Sequence, residues 1–212
     1  MNISVRYVDA SSGTGTATDV VILTSVWIAS ILIVNPVGEF PLNDDWVYAL
    51  VVRRFVETGD FQPGWFAAAQ LLTNTLWGAL FCLPSGFTFT ALRVSTLVAS
   101  LFAILGCYIL IREMLLPRWY ALVATFCMAF NPIYYALSYT FMTDVLFVAL
   151  VVWATVFFAR SYRNGRSFEM LVGAALAVGA ALSRQIALCI PVAFLAVHLL
   201  SRRSTSRRCC AH

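Results

Sequence analysis

The sequence predicts an all-α protein, a polytopic bundle of about six transmembrane helices with interfacial helices in its first outer loop. Of the 212 residues, 61% are hydrophobic and only 11% are charged, against about 25% charged residues in an average soluble domain. The mean hydropathy is +0.83. A soluble domain of this size has too much surface for its volume to bury so many apolar side chains, whereas a lipid bilayer accommodates them.

Six apolar runs follow a polar N-terminal tail at residues 1–19, whose Gly/Ser/Thr-rich part predicts a flexible segment over 11–18. The runs cover residues 20–34, 93–111, 119–137, 144–158, 170–182 and 186–200. A spanning helix needs about 20 apolar residues, so the shorter runs must use their flanks or pack against other helices. We therefore predict a membrane domain over 20–200 with an outer loop at 37–92, between two cytoplasmic tails.

The placement of the basic residues predicts the orientation of the bundle. The net charge of +4 rests on arginine alone, and the arginines lie between apolar runs without a basic-aromatic motif, so we expect membrane lipids and no nucleic acid as partners. With the N-terminus inside and six spans, ten of the fourteen basic residues lie inside, and four lie outside: Arg53, Arg54, Arg93 and Arg184. This agrees with the positive charge typical of cytoplasmic loops.

A seven-span arrangement is an alternative, because residues 64–83 are also apolar enough to cross a membrane. With that extra span and the N-terminus outside, eleven arginines lie inside, so arginine counting leaves both arrangements open. The difference matters for chemistry. Only the six-span arrangement places Asp44, Asp45 and Asp144 on the same, outer side.

The acidic pair in the first outer loop is the first candidate site. Asn43 is placed to cap a helix starting at Asp44, and two carboxylates in a first helical turn complement the helix dipole. The apolar residues that follow form one stripe, which predicts a helix along the membrane surface over 44–57. The pair either stabilises this helix or provides, in Asp44 or Asp45, a general base or a metal ligand.

Asp144 and Arg184 are the second candidate site. Asp144 opens an apolar run, where it is either part of a helix cap beside Thr143 or a polar group facing the interior of the bundle. Arg184 lies between two short apolar runs and either snorkels to the interface or binds an anion such as phosphate. Arg53 and Arg54 are further anion-binding candidates, although surface helices often carry such residues for solvation alone.

These residues together resemble the N-terminal part of polytopic glycosyltransferases of the GT-C superfold. The likeness is greatest to the family 39 enzymes related to protein mannosyltransferases and to the aminoarabinose and Rgt-type transferases of lipopolysaccharide. Four features carry it: the acidic motif at 43–48 after a first span, Leu92-Arg93 before the next, the segment 141–144 and the segment 182–185. In such enzymes the first loop lies outside as surface helices, which favours six spans with 64–83 at the interface.

The resemblance implies transfer of a sugar from a polyprenyl-phosphate donor to a lipid, glycan or protein acceptor, with inversion, at the outer face of the inner (plasma) membrane. Asp44 or Asp45 would act as the base, and Asp144 would position the donor or a metal. Arg184, with Arg53 and Arg54, would bind the donor phosphate. A divalent metal is the candidate cofactor, with Asp45 and Asp144 as candidate ligands.

Two other classes of function stay open, a transporter or channel component and a non-catalytic membrane subunit. A transporter should carry polar residues within several spans and paired broken helices, whereas the acids here concentrate in predicted outer loops, which favours the enzyme. Members of the GT-C family are about twice as long as this chain. The ending after residue 201 is therefore expected to be that of a truncated or frame-shifted product.

Overall fold

The computed structural model describes residues 13–62, 71–84 and 86–209, with side chains between residues 15 and 200. Over this part of the chain all regular structure is helical. The α-helices are α1 (Gly13–Val34), α2 (Asp45–Thr58), α3 (Leu72–Cys82), α4 (Phe89–Glu113), α5 (Arg118–Ala129), α6 (Pro132–Ser138), α7 (Thr143–Asn164), α8 (Ser167–Ala181) and α9 (Cys189–Cys209). A short 3₁₀ helix, Gln185–Leu188, precedes α9. The predicted all-α class is confirmed.

Three of the described helices are long and apolar enough to cross a membrane: Gly15–Val34, Phe89–Glu113 and Thr143–Asn164. The pair α5 and α6, bent by 63°, counts as a fourth candidate if it forms one broken span. The bend lies at Asn131-Pro132, where the Asn131 side chain caps α6 and proline interrupts the hydrogen-bond ladder. Because α8 and the segment Gln185–Leu200 are shorter apolar helices, the count of six spans stays a prediction.

The first helix begins earlier than its apolar run, so the expectation of a flexible segment is wrong for residues 13–18, which are helical. Residues 11 and 12 lie outside the described part of the chain. Asp19 explains the longer helix. Its fully buried carboxylate accepts hydrogen bonds from Tyr108 and from Arg118, whose Nη2 lies 2.6 Å from Asp19 Oδ1. A charged group is stable in such a place only when it is paired, and this pairing fixes α1 around residue 19.

Helices α4 and α7 form the centre of the bundle, with α8 on the far side of α7. Gly106 lets α4 and α7 approach closely, since a Cβ there would lie 2.9 Å from Trp153 Nε1. Glu113, at the end of α4, pairs with Arg160 at 2.7 Å and with Arg163. These contacts fix the register of α4 and α7, and with it the position of their other ends, where the candidate site lies.

The described part of residues 37–92, the predicted first outer loop, folds onto those other ends. Helices α2 and α3 share one apolar cluster with the start of α4 and with the segment before α7: Ala49, Val52, Ala79, Cys82, Leu92 and Phe141. The helix predicted over 44–57 is present one residue later, as Asp45–Thr58. Helix α3 has 11 residues and is about 16 Å long, too short to cross a hydrocarbon core of about 30 Å. The described part of 64–83 therefore packs on the bundle, and the choice between six and seven spans stays a prediction.

Candidate functional site

The two acids of the first outer loop have different environments. Asp45 is buried, with 1% of its surface exposed. Its Oδ1 accepts hydrogen bonds from the backbone N–H groups of Leu42 at 3.1 Å and Asn43 at 3.2 Å. Its Oδ2 is also buried and has no hydrogen-bond partner among the described residues. Asp45 thus fixes the tight turn that leads into α2.

Asp44 occupies the N-cap position of α2 and is exposed. Its side chain makes no capping hydrogen bond. The prediction that Asn43 caps a helix starting at Asp44 is therefore wrong by one residue, because Asp45 draws the preceding backbone N–H groups into the turn. An exposed carboxylate without a capping partner is free to accept a proton from a bound hydroxyl, whereas a buried one is not accessible to it.

Asp144 and Arg184 meet at the start of α7. Arg184 Nη2 lies 2.8 Å from Asp144 Oδ1, and Arg184 Nε donates a hydrogen bond of 3.0 Å to Thr143 Oγ1. Met142, not Asp144, holds the cap position of α7, so Asp144 is not the helix cap. The two side chains are 40% and 29% exposed. The pair is thus open on one side and can receive a further charged group.

The backbone that presents Arg184 is held in place by α3. Helix α8 ends at Ala181, and Arg184 adopts an extended conformation before the 3₁₀ helix. Thr73 donates a hydrogen bond of 2.7 Å to the Gly179 carbonyl, and Ser183 Oγ donates one of 2.6 Å to Asn74 Oδ1. Both groups of the second bond are buried. Since carbonyls at a helix end lack internal partners, Thr73 stabilises the break just before Arg184.

An apolar groove of about 460 Å³ lies between α3, α4, α7 and α8. Its lining exposes only apolar surface, from Thr73, Trp77, Ala99, Phe102, Leu146, Ala149, Leu150, Trp153, Phe157, Val172 and Leu176. Thr73 lies at the α3 end, next in sequence to the Asn74 that bonds Ser183, the neighbour of Arg184. The groove and Arg184 are thus linked through α3, and Leu146 of the lining lies two residues after Asp144.

The comparison with known proteins gives the family of the chain. The model of the dolichyl-phosphate-mannose-protein mannosyltransferase family matches residues 71–212, about two thirds of the chain. The chain belongs to this family. It is a membrane glycosyltransferase of the GT-C type. No curated protein and no solved structure matches it. The matched region contains the groove, Asp144 and Arg184, and begins after Asp44 and Asp45.

The segments that carry the two acidic candidate sites share one apolar cluster. Phe141, three residues before Asp144, packs in one cluster with Ala49 and Val52 of α2. Ala49 is one helical turn after Asp45. The approach of the Asp44 or Asp45 carboxylate to Asp144 itself stays a prediction.

The candidate metal ligands do not form a complete site on their own. Among the residues that the structure describes, no group of three or more His, Cys, Asp or Glu side chains could hold a metal ion. One oxygen of Asp45 is engaged by backbone N–H groups and one of Asp144 by Arg184. The described residues thus do not fit a metal bound by protein ligands alone, and we assign no chemical step to one.

Arg53 and Arg54 lie on the exposed side of α2 and have local partners. Arg53 pairs with Glu57 at 2.8 Å, and Arg54 pairs with Asp60 at 3.6 Å. Pairs so exposed contribute about 1 kcal/mol or less and restrain the arginines little. This environment favours solvation of a surface helix, and the predicted role of both arginines in binding donor phosphate stays a prediction.

Sequence reasoning missed the contacts of Glu39 and Arg93, which attach the first outer loop to α4. Glu39 accepts hydrogen bonds from the Thr90 hydroxyl at 2.6 Å and from the N–H of Phe89 at 2.8 Å. Burial acts to raise the pKa of Glu39, but these hydrogen bonds and the charge of Arg93 outweigh it, so the pKa lies below its ordinary value. The position of Arg93 at the edge of the apolar run 93–111 could have indicated these contacts, because an arginine there needs polar partners.

Proposed function

We propose that the transferase moves a sugar from a polyprenyl-phosphate donor to a hydroxyl of a lipid, glycan or protein acceptor at the outer face of the inner (plasma) membrane, with inversion. One observation carries the proposal: the apolar groove is lined by Leu146, two residues after Asp144, and by Thr73, which bonds the end of the helix before Arg184. A donor of this class combines a long isoprenoid chain with a phosphate and a sugar. The groove matches the chain, and the arginine matches the phosphate.

Arg184 is suited to the donor phosphate by its geometry and its charge. Its Nε and Nη2 are held by Thr143 and Asp144, which orients the guanidinium and leaves Nη1 for a phosphate oxygen. Arginine stays charged at any physiological pH and presents a rigid fork of donors. As the bond between the anomeric carbon and the phosphate oxygen breaks, negative charge grows on the phosphate, and a fixed cation stabilises that change.

Asp44 is suited to act as the base. The acceptor hydroxyl attacks the anomeric carbon from the face opposite the phosphate, and its proton passes to the Asp44 carboxylate. The electron pair of the broken bond leaves on the phosphate oxygen beside Arg184, so the configuration at the anomeric carbon inverts. Asp45, which is buried, positions the turn that carries Asp44. We propose this division of roles because only Asp44 is exposed to a substrate.

The proposal is tested with the full chain purified into proteoliposomes. Polyprenyl phosphates bearing different labelled sugars are incubated with an envelope lipid and glycan extract or with acceptor peptides, and transferred label and released polyprenyl phosphate are measured together. We expect both products in equal amounts from one donor class, and only a small residual rate of transfer from Asp44→Asn. Asp60→Asn is the matched control in the same loop and should transfer normally. Absence of transfer from every donor by the wild-type chain would contradict the proposal.

A further inference from the structure

We propose that Arg93 is a positioning residue for this reaction, fixing the segment at residues 36–45 so that Asp44 faces the acceptor hydroxyl. This inference rests on the proposed function for its kinetic consequence. Arg93 lies in the second turn of α4, four residues after Phe89, and only 3% of its surface is exposed. A buried guanidinium is costly unless its N–H groups are bonded. Nη1 and Nη2 of Arg93 are bonded, whereas Nε has no hydrogen-bond partner among the described residues, so the partners of Nη1 and Nη2 show which backbone Arg93 holds.

Those partners all belong to the segment before the acidic pair. Arg93 Nη1 donates to the carbonyls of Pro36 at 3.1 Å and Gly38 at 2.9 Å, and Nη2 donates to the carbonyl of Phe40. The guanidinium carbon also lies 4.8 Å from the centre of the Phe40 ring, in a cation–π arrangement. One side chain thus fixes three alternate carbonyls, and Phe40 is only four residues before Asp44.

A second set of contacts holds the same segment to the start of α4. The Glu39 carboxylate accepts hydrogen bonds from the N–H groups of Phe89 and Thr90. The Gly38 N–H donates a hydrogen bond of 3.1 Å to Thr90 Oγ1. Gly38 is required for this fit, since a Cβ there would lie 2.5 Å from Phe40 Cε1 and 3.1 Å from Arg93 Nη1. The segment is therefore held to α4 by Arg93 through its carbonyls and by Thr90 and Phe89 through the Gly38 N–H and the Glu39 side chain.

The position of Asp44 follows from these contacts and from Asp45. Between Phe40 and Asp44 the chain has only three residues, and the Asp45 carboxylate fixes two of them through their N–H groups. Asp44 itself is exposed and uncapped, so no contact of its own determines its location. Arg93 and Asp45 determine it between them. A base misplaced by about 1 Å costs about 100-fold in rate.

The kinetic test is a double-mutant cycle between Arg93→Met and Asp44→Asn, measured as sugar transfer by the full chain in proteoliposomes. We expect Arg93→Met to lower kcat about 100-fold and to leave the KM for the donor unchanged, because Arg93 does not contact the donor. The double variant should be no slower than Asp44→Asn alone. Arg93→Lys, which keeps the charge but not the fork of donors, should recover part of the rate.

A second measurement does not depend on activity and separates this inference from the proposed function. Hydrogen exchange of the amides at 36–45 should become about tenfold faster in Arg93→Met, since losing these contacts allows local opening. Gly38→Ala should have the same effect while leaving α4 unaltered, and Arg166→Met, on the α7–α8 loop, is the matched control. If the wild-type chain transfers no sugar, the proposed function fails, and the exchange result alone decides whether Arg93 fixes this segment.

Three results would overturn the inference. Unchanged exchange at 36–45 in both Arg93→Met and Gly38→Ala would show that Arg93 does not hold the segment. A raised donor KM with unchanged kcat would make Arg93 a donor ligand. Independent, multiplicative rate losses in the double variant would show that Arg93 does not act through Asp44.

Discussion

Replacing Arg184 with methionine tests the donor-phosphate site most sharply. Methionine keeps the length and apolar stem of the side chain but removes the charge and the donors. A hydrogen bond to a charged group contributes about 1.5–3 kcal/mol. If one such bond to the donor phosphate is lost in the transition state, kcat/KM falls by about 10- to 150-fold.

The same change has a stability cost that must be separated from the catalytic one. The Arg184–Asp144 pair is 40% and 29% exposed, so solvent screens it and it contributes about 1 kcal/mol or less. The hydrogen bond to Thr143 adds about 1 kcal/mol. We therefore expect Arg184→Met to lower the free energy of unfolding by no more than about 2 kcal/mol, too little to unfold the protein at assay temperature.

The assay is the initial rate of sugar transfer as a function of donor concentration in proteoliposomes, with thermal unfolding recorded on the same samples. Arg184→Met should raise the donor KM and lower kcat. Asp144→Asn removes the charged partner of Arg184 but keeps the guanidinium itself. It should therefore lower kcat/KM less than Arg184→Met does, by about tenfold. Arg166→Met is the matched control, because Arg166 is 73% exposed and pairs with Glu169 at only 3.8 Å. Unchanged kcat and KM in Arg184→Met would refute the assignment of Arg184 to the donor phosphate.

Three further predictions follow from the first outer loop. Asp45→Asn should lower the free energy of unfolding by about 1–2 kcal/mol, because Asp45 is buried and holds a turn, whereas Asp44→Asn should leave thermal unfolding unchanged; equal unfolding temperatures of the two variants would contradict the division of roles. Folding lowers the pKa of Glu39, so the stabilisation it provides is fully present above its ordinary pKa of 4.5 and is lost as pH falls through the lower, folded value. Glu39→Gln should therefore flatten the acid side of the unfolding curve below pH 4.5, and an unaltered acid side would count against the Glu39 contacts. A cysteine at Thr58 should react with an impermeant thiol reagent in intact cells above the native-cysteine background, and reaction only after lysis would reverse the predicted orientation.

The sequence was sufficient for the helices, because a long apolar run in a membrane has few structures that satisfy every backbone group. Helices α4 and α7 contain the runs predicted at 93–111 and 144–158 and extend past both ends of each. The single run predicted at 119–137 is instead divided into α5 and α6 at Pro132. The start of α1 was not predictable from its own residues, since the burial of Asp19 depends on Arg118, 99 residues away.

The candidate site was predictable in its residue types but not in its contacts. Charged residues at the ends of apolar runs indicated Asp144 and Arg184, and the structure brings these two together. Local pattern could not indicate that Asn74 bonds Ser183 across 109 residues or that Arg93 holds the Gly38 carbonyl across 55. Such pairs are set by how helices dock, which hydrophobic periodicity alone does not specify.

The most direct test of the account is to map where a polyprenyl phosphate binds. A polyprenyl phosphate with a photoreactive diazirine in its isoprenoid chain is incorporated with the full chain in proteoliposomes, irradiated, and the attached peptides are identified by mass spectrometry. We predict attachment to the groove between α3, α4, α7 and α8, at Leu146, Leu150 or Leu176, competed by unlabelled polyprenyl phosphate and weakened by Arg184→Met. Attachment confined to the lipid-facing side of α1, or labelling of the groove that unlabelled polyprenyl phosphate does not compete, would contradict the donor site.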